Sequence, residues 1–507
     1  MKLRTLGKPE YGPAMGCESY LKLCERSREV YLVRSVAAVL TWDLETYIPP
    51  KAVPYRADQL GYLEAKAHTL FTEAAVGDWL TEAEQYGFSP DSEEYANLRE
   101  WRRSYNRATR IPVSLVEEFE KIRTLAREAW IQARKGPDFS VFKPHLEKIL
   151  ELTRRKADLW GYEESVYDAL IEDYEPGLRS RQIKPVLEDL RVALVDLLAK
   201  TRQDTIAGNL LDGRYPIDGQ TAFSKKVAAA FGYDFEAGRI DTTAHPFATS
   251  LGPSDHRITT RYNENRFEAS LYGVLHETGH ALYEQGLPVD KVGLPLGEAV
   301  SLGIHESQSR LWENHVGRTT QFWDQWYRDA STHLTDLKRF SPLEIAKGIQ
   351  RIAPSFIRVE ADEVTYDLHV LLRFELELAL VEGRIRVRDL PEAWNARFKE
   401  LFGLTVPDDN LGVLQDIHWS HGLIGYFPTY TLGNLNAAQL MSAAEKQIPG
   451  LEDELAAGHY QALLLWLREN IHQHGRRYLP ADLMRRATGE TTSARYRIEY
   501  LRRKYSL

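Results

Sequence analysis

Within the run SLYGVLHETGHALYEQG, His276 and His280 stand four positions apart, with Glu277 next to the first. On an α-helix that spacing separates two side chains by about 40° around the axis, so both imidazoles reach one metal ion. A catalytic zinc takes three protein ligands and keeps a fourth position for water, whose pKa it lowers towards neutrality. A carboxylate beside the ligand face can accept that water's proton and deliver it to a leaving amine, and Glu277 is so placed. The pattern is that of a metal-dependent hydrolase; two surface histidines beside an acid is the bland alternative.

Two histidines need a third donor. The residues after His280 are ALYEQGL, so the extension H-x-x-G-x-x-H is absent. The segment GEAVSLGIHESQSRLWENH offers Glu306, with His305 and Glu313 as competitors. Gly303, one turn before Glu306, is expected to keep the approach open, and Gly273 to leave room beside His276. Many sites with a glutamate as third ligand carry Asp four residues later to orient a ligand histidine; here that place is Arg310.

These side chains need elements to hold them. Asn265 and Glu268 read as a capping box, Gly286 and Pro288 as a stop, and Phe267, Leu271, Leu275 and Leu282 as the core-facing side of a helix between them. Upstream, TTAHPFATSLGPSDHRITTRYNEN reads as one or two short strands. RITTRY is expected to be an edge strand able to pair with an extended peptide. From Glu18 to about Lys200 the apolar residues return every three or four positions, as in SREVYLVRSVAAVLTWDLE, with breaks at YIPP, Gly136-Pro137 and Pro176-Gly177. Helices resume after the strands, ending in RYRIEYLRRKY, a packed terminal helix with a solvated face. With no Pro/Ser/Gly linker, the expectation is one mainly α-helical unit over 1–507 with a small β-sheet near the zinc helix. In it 1–215 is expected to supply the N-terminal helices, 216–430 the metal site and 431–507 the C-terminal helices.

Composition narrows the partners. The chain has 507 residues, 43% hydrophobic and 27% charged, with 64 basic and 73 acidic side chains giving a net charge of −9. That balance offers no electrostatic case for nucleic acid or an anionic membrane. No stretch approaches the roughly 20 apolar residues of a membrane span. The opening MKLRTLGKPEYG lacks the apolar core of a secretory signal, so a cytoplasmic protein is expected. Cys17 and Cys24 fit neither a redox pair nor a zinc knuckle.

The sequence resembles the metallocarboxypeptidases of the carboxypeptidase Taq family over nearly its whole length. Five motifs carry the resemblance in order: Asp255-His256-Arg257-Ile258-Thr259, HETGH, His305-Glu306-Ser307-Gln308, IRVEAD from Ile357, and GVLQDIHW from Gly412. The stretch LTWDLETYIPPKAVPYRADQLGYLEAKAH is similar to that family's opening helix and turn. The resemblance implies a fold like neurolysin and angiotensin-converting enzyme, almost all helix around a deep groove. It implies one zinc per chain, with cobalt as a substitute, on His276, His280 and Glu306, with Glu277 as general base. It also implies a homodimer that removes single residues from free peptide C-termini with broad preference.

A carboxypeptidase must grip a terminal carboxylate, which a guanidinium fork does well. Arg358 is the first choice and Arg351 the second, with a salt bridge from either to Glu360 or Asp362 as the structural alternative. Donors to the developing oxyanion are sought in QDIHWSHGLIGYFPTYTLGN, where His418 and Tyr430 are chosen over His421, and Tyr426 is read as substrate-binding. Asp255 and Arg257 are expected to pair with each other, and Trp42 to be core. Competing readings are a zinc endopeptidase or dipeptidyl peptidase on the same fold, needing no carboxylate clamp, and a non-catalytic helical binding protein with a stabilising metal. An intact Glu277 argues against the last, since structural zinc needs no base.

Overall fold

The helical periodicity of the first half is realised as long helices, beginning with Glu18–Thr46 and Val53–Thr72 and separated where the breakers stand. The structure, a computed structural model, describes residues 16–201 and 211–506; the opening MKLRTLGKPEYG lies outside them. Trp42 is a core residue, packed edge-on against Phe247, and Asp43 pairs with Arg56 at 2.6 Å to tie the first two helices together. The Gly136 break follows the helix Val113–Lys135, and Pro176-Gly177 falls between Val166–Ile171 and Ser180–Thr201.

The Thr-rich segment folds into three strands, β1 (Ile240–Thr242), β2 (Ala248–Gly252) and β3 (Asp255–Thr260), in the order β1-β3-β2. RITTRY therefore contributes to the central strand, not an edge. β1 runs parallel to β3 and β2 antiparallel to it, so Ile258 pairs with Ile240 on one side and Ala248 on the other. The reason is burial: Ile258, Thr259 and Thr260 are fully covered, and Thr260 Oγ1 donates to the Ser270 carbonyl of the next helix. The free edges belong to β1 and β2. Asp255 and Arg257 pair at 2.7 Å as expected.

That next helix, Phe267–Gly286, carries both histidines. Phe267, Leu271, Leu275 and Leu282 face the core as the spacing predicts. Its start differs from the capping box read in the sequence. The N-cap is Arg266, with no side-chain cap. Asn263 Oδ1 accepts from the Asn265 amide and Glu268 pairs with Arg266, so these side chains serve a turn and an ion pair instead.

A shorter helix, Leu302–Arg310, carries Glu306 and runs on into a π-helical stretch, Leu311–Gly317. It is pressed between the histidine helix and the buried helix Pro428–Gln447. A Cβ on Gly279 would lie 2.5 Å from the Gln308 carbonyl, and one on Gly433 would lie 2.3 Å from Glu306 Cγ. Both glycines permit an approach no larger residue allows. Pro428–Gln447 also joins two hydrophobic cores: Leu432 and Leu435 belong to one, Ala437, Leu440 and Met441 to the other. The metal-binding candidates lie on this seam.

The terminal helix, Ala494–Lys504, packs as expected, but part of its basic face is not solvated. Arg497 pairs with Glu363 and Asp367, and Lys504 with Glu363, all buried. Tyr500 donates to the Asn314 carbonyl at 3.0 Å, so this helix holds the π-helical stretch from outside.

Candidate metal centre

His276, His280 and Glu306 come together: one ligand atom from each lies within 4.8 Å of the others. The Nε2 atoms of His276 and His280 stand 3.5 Å and 3.4 Å from Glu306 Oε2. The tautomers follow from the partners behind the rings. His276 Nδ1 lies 2.9 Å from Glu313 Oε2, which can only accept, so Nδ1 donates and Nε2 presents a lone pair. His305 Nε2 donates to Glu284 Oε1 at 2.9 Å, and its Nδ1 stands 2.5 Å from His280 Nδ1. With both rings neutral, His280 Nδ1 donates and its Nε2 also presents a lone pair. With His276 neutral as well, two imidazole lone pairs face one carboxylate oxygen with no proton between them. Without a metal, and against the effect of burial, the Glu306 charge raises His276, so the cluster calls for positive charge. That donor set is repulsive by itself and suits a divalent cation such as zinc.

Glu313 and His305, the rival third donors, therefore lie behind the ring atoms and not among the three. The π-helical stretch widens the turn that carries Glu313. Arg310 and Arg318 pair with Glu313 at 3.2 Å and 2.9 Å, and burial notwithstanding they hold its carboxyl well below the usual range. Arg310 also donates to Glu306 Oε1 at 2.8 Å, leaving Oε2 facing the histidines. So the place where other sites carry Asp holds the cation that orients the carboxylate.

Gly303 has a different reason from the one expected. A Cβ there would lie 2.7 Å from Glu175 Oε2, which accepts from the Gly303 amide at 3.0 Å. Glu175 also accepts from Ser301 Oγ, the side-chain cap of this helix, and burial pushes its carboxyl up to about 7. Gly273 is less constrained; a Cβ would meet only Thr260 Oγ1, at ordinary contact distance.

Glu277 is 7% exposed and makes no hydrogen bond to the described residues. Burial pushes its carboxyl up to about 7, with His276 pulling down and Glu306 pushing up. A carboxyl that titrates near neutrality and is not engaged by protein donors is suited to take up and give back a proton.

On the far side of Glu306 lies a second buried cluster. Arg310 stacks on Tyr366 at 4.6 Å, and Tyr366 OH accepts from Arg358 Nη1 at 3.1 Å. Arg358 is 5% exposed and pairs with Asp416 at 3.0 Å. Neither Glu360 nor Asp362 is its partner: Asp362 accepts from the Val364 and Thr365 amides instead. Arg373 takes the other Asp416 oxygen at 2.5 Å. Two guanidinium groups share one carboxylate, which leaves excess positive charge in a buried place. Arg351 is half-buried on the irregular segment before Arg358.

Tyr430 lies over Arg358, its ring 4.8 Å from the guanidinium carbon, and its hydroxyl is 3.1 Å from His418 Nε2. Tyr426 packs beside Tyr430 at 5.3 Å. The phenols of Tyr426 and Tyr430 are raised by burial, and both also feel the Glu306 charge. Burial pushes His418 down to about 4, so it is neutral. His421 lies instead beside Arg123 and Arg127. The loop bearing these groups is organised by Glu377, which accepts from Trp419 Nε1, the Gly425 amide and Tyr167 OH. Sequence reading missed Tyr366, Asp416, Arg373 and Glu377 as organisers. Asp416 stood in the quoted QDIHW run, whereas Arg373 and Glu377 lie on a helix buried on every side and carried no signal.

The family model for the carboxypeptidase Taq (M32) metallopeptidases matches residues 22–505. Thermostable carboxypeptidase 1 of Thermus thermophilus is 43% identical, with 96% of this chain and 98% of that protein covered. Carboxypeptidase 1 of Bacillus subtilis is 37% identical over 92% of this chain and 94% of its own length. Among solved structures, the M32 carboxypeptidase from Deinococcus radiodurans R1 superposes with a TM-score of 0.93 at 39% identity, covering 96% of this chain and 99% of that one.

Proposed function

The chain belongs to the carboxypeptidase Taq (M32) metallopeptidase family, and from that premise we propose that it is a zinc carboxypeptidase releasing single residues from peptide C-termini with broad preference. The observation that carries the reading is Glu277, a buried carboxyl with no hydrogen bond among the described residues, beside three donors within 4.8 Å of one another. His276, His280 and Glu306 would hold the metal, one per chain, with cobalt as a working substitute. The metal, when bound, supplies an electron-pair acceptor that acidifies water and polarises a carbonyl.

The chain's own residues do the rest. Glu277 takes the proton from the attacking water at its carboxylate and passes it to the leaving nitrogen. Tyr430 donates its hydroxyl proton to the carbonyl oxygen as negative charge grows there, and His418, neutral and 3.1 Å from that hydroxyl, sets its direction or donates beside it. The excess positive charge around Asp416 supports a carboxylate-ended substrate over an internal peptide bond. Arg358 keeps one N–H on each Nη after its bonds to Asp416 and Tyr366, and these are what it has to offer a terminal carboxylate; Arg351 is the second cation on that segment. Tyr426 lines the same substrate end. A homodimer and a cytoplasmic site of action belong to the same proposal, checked by sedimentation and by fractionation. Among the described residues no helix is long and apolar enough to cross a membrane.

Mass spectrometry of one peptide with free and amidated C-termini tests the activity. Stepwise loss of residues from the free end alone is expected; internal cuts, or equal cleavage of the amide, would overturn it.

A further inference from the structure

Away from the metal centre, a cavity of about 290 Å³ opens between the helix Pro428–Gln447, the terminal helix and the end of the π-helical stretch. Its floor is apolar, made by Val316, Phe322, Met441 and Leu455. Its polar lining is uneven in a specific way. Glu445 and Glu452 both line it, and burial raises the Glu445 carboxyl, with Arg503 pulling it down and the Glu452 charge pushing it up. Arg503 also lines the cavity, paired with Glu445 only loosely at 3.7 Å. His315, 7% exposed, lines it as well. Its ring stacks on Tyr500 at 3.9 Å and makes no hydrogen bond to the described residues. Its ring nitrogens are not sealed in the core, so their hydrogen-bonding capacity is available to whatever occupies the cavity. Lys504, the other cation on the rim, is occupied by Glu363, Tyr500 and the Asn314 carbonyl.

We propose that this cavity binds a free α-amino acid with an aliphatic side chain, the kind of product the proposed reaction releases, at a site separate from the metal centre. The proposal rests on that reading for the source of its ligand. Two carboxylates suit one ammonium, one loosely held guanidinium suits one carboxylate, and an apolar floor suits the side chain. A purely anionic ligand would meet two carboxylates; a purely cationic one would leave Arg503 without a new partner. His315 supplies the remaining donor or acceptor. Because His315 follows Glu313 by two residues in the same π-helical stretch, occupancy adjoins the segment that orients His276.

Calorimetric titration of L-leucine into the zinc-loaded protein tests this. Binding is expected to weaken at least tenfold in Glu445→Gln and in Arg503→Gln, and to vanish in Ala456→Trp, which fills the space. N-acetyl-leucine and leucinamide, each lacking one charge, are expected to bind at least tenfold more weakly to the unmodified protein. The variants should keep their peptide kcat/KM within twofold, since none touches the metal centre. Unchanged leucine binding in all three variants would put the site elsewhere, and leucinamide binding as tightly as leucine would make it an amine site; either overturns the proposal. Failure to release amino acids from peptides would sink the activity reading alone, because the titration supplies its own ligand.

Discussion

Glu313 Oε2 lies 2.9 Å from His276 Nδ1, and the same carboxylate is pinned by Arg310 and Arg318. One side chain thus fixes the tautomer of a ring in the candidate metal centre, and two cations fix that side chain. Glu313→Gln should weaken metal retention by roughly 10–100-fold, the usual effect of losing such an outer partner. Competition with a chelator measures it, with circular dichroism as a check that the helices persist. Retention equal to that of the unaltered protein would remove Glu313 from the role.

For Glu277→Gln the expectation is opposite on the two readouts. The metal should stay, because the triad is untouched, while turnover falls by about 10²–10⁴-fold, the usual range for a general acid–base group. A loss of less than tenfold would mean that another group moves the proton.

Arg358→Lys separates anchoring from packing. If the guanidinium meets a terminal carboxylate, kcat/KM on a free-acid peptide should drop by on the order of 2–5 kcal/mol equivalent while the matched amide changes little. If it serves only to hold Asp416 and Tyr430, both substrates slow together and the melting temperature falls. In that event Arg351→Ala becomes the variant to compare.

Glu175 gives a pH prediction. Burial raises its folded-state pKa from 4.5 to about 7, so the fold favours the protonated carboxyl. The resulting stability is complete below about pH 4.5 and is lost as pH rises through about 7, an effect of up to roughly 3 kcal/mol. Glu175→Gln can still accept from the Gly303 amide and donate to Ser301, yet cannot ionise. Urea unfolding should find the variant close to the parent at pH 4.5 and more stable than it at pH 8. A parent as stable as the variant at pH 8 would contradict the argument.

The sequence by itself determined a great deal here, because helical geometry is local. A four-residue spacing fixes His276 and His280 on one face whatever surrounds them, and the apolar returns of Phe267, Leu271, Leu275 and Leu282 fix which side is buried. The third donor was legible only as a choice among Glu306, His305 and Glu313, which spacing left open; the resemblance through the HESQ motif singled out Glu306. What the tertiary structure decided are the relations between segments far apart in the chain. Asp416 reaches Arg358 across 58 positions and Trp419 reaches Glu377 across 42. No periodicity encodes such pairs, because a buried charge takes whichever partner the packing brings within reach. The same holds for β3, which is central because the histidine helix covers it. It holds for Gly433, whose missing side chain becomes meaningful only once Glu306 is known to lie against it.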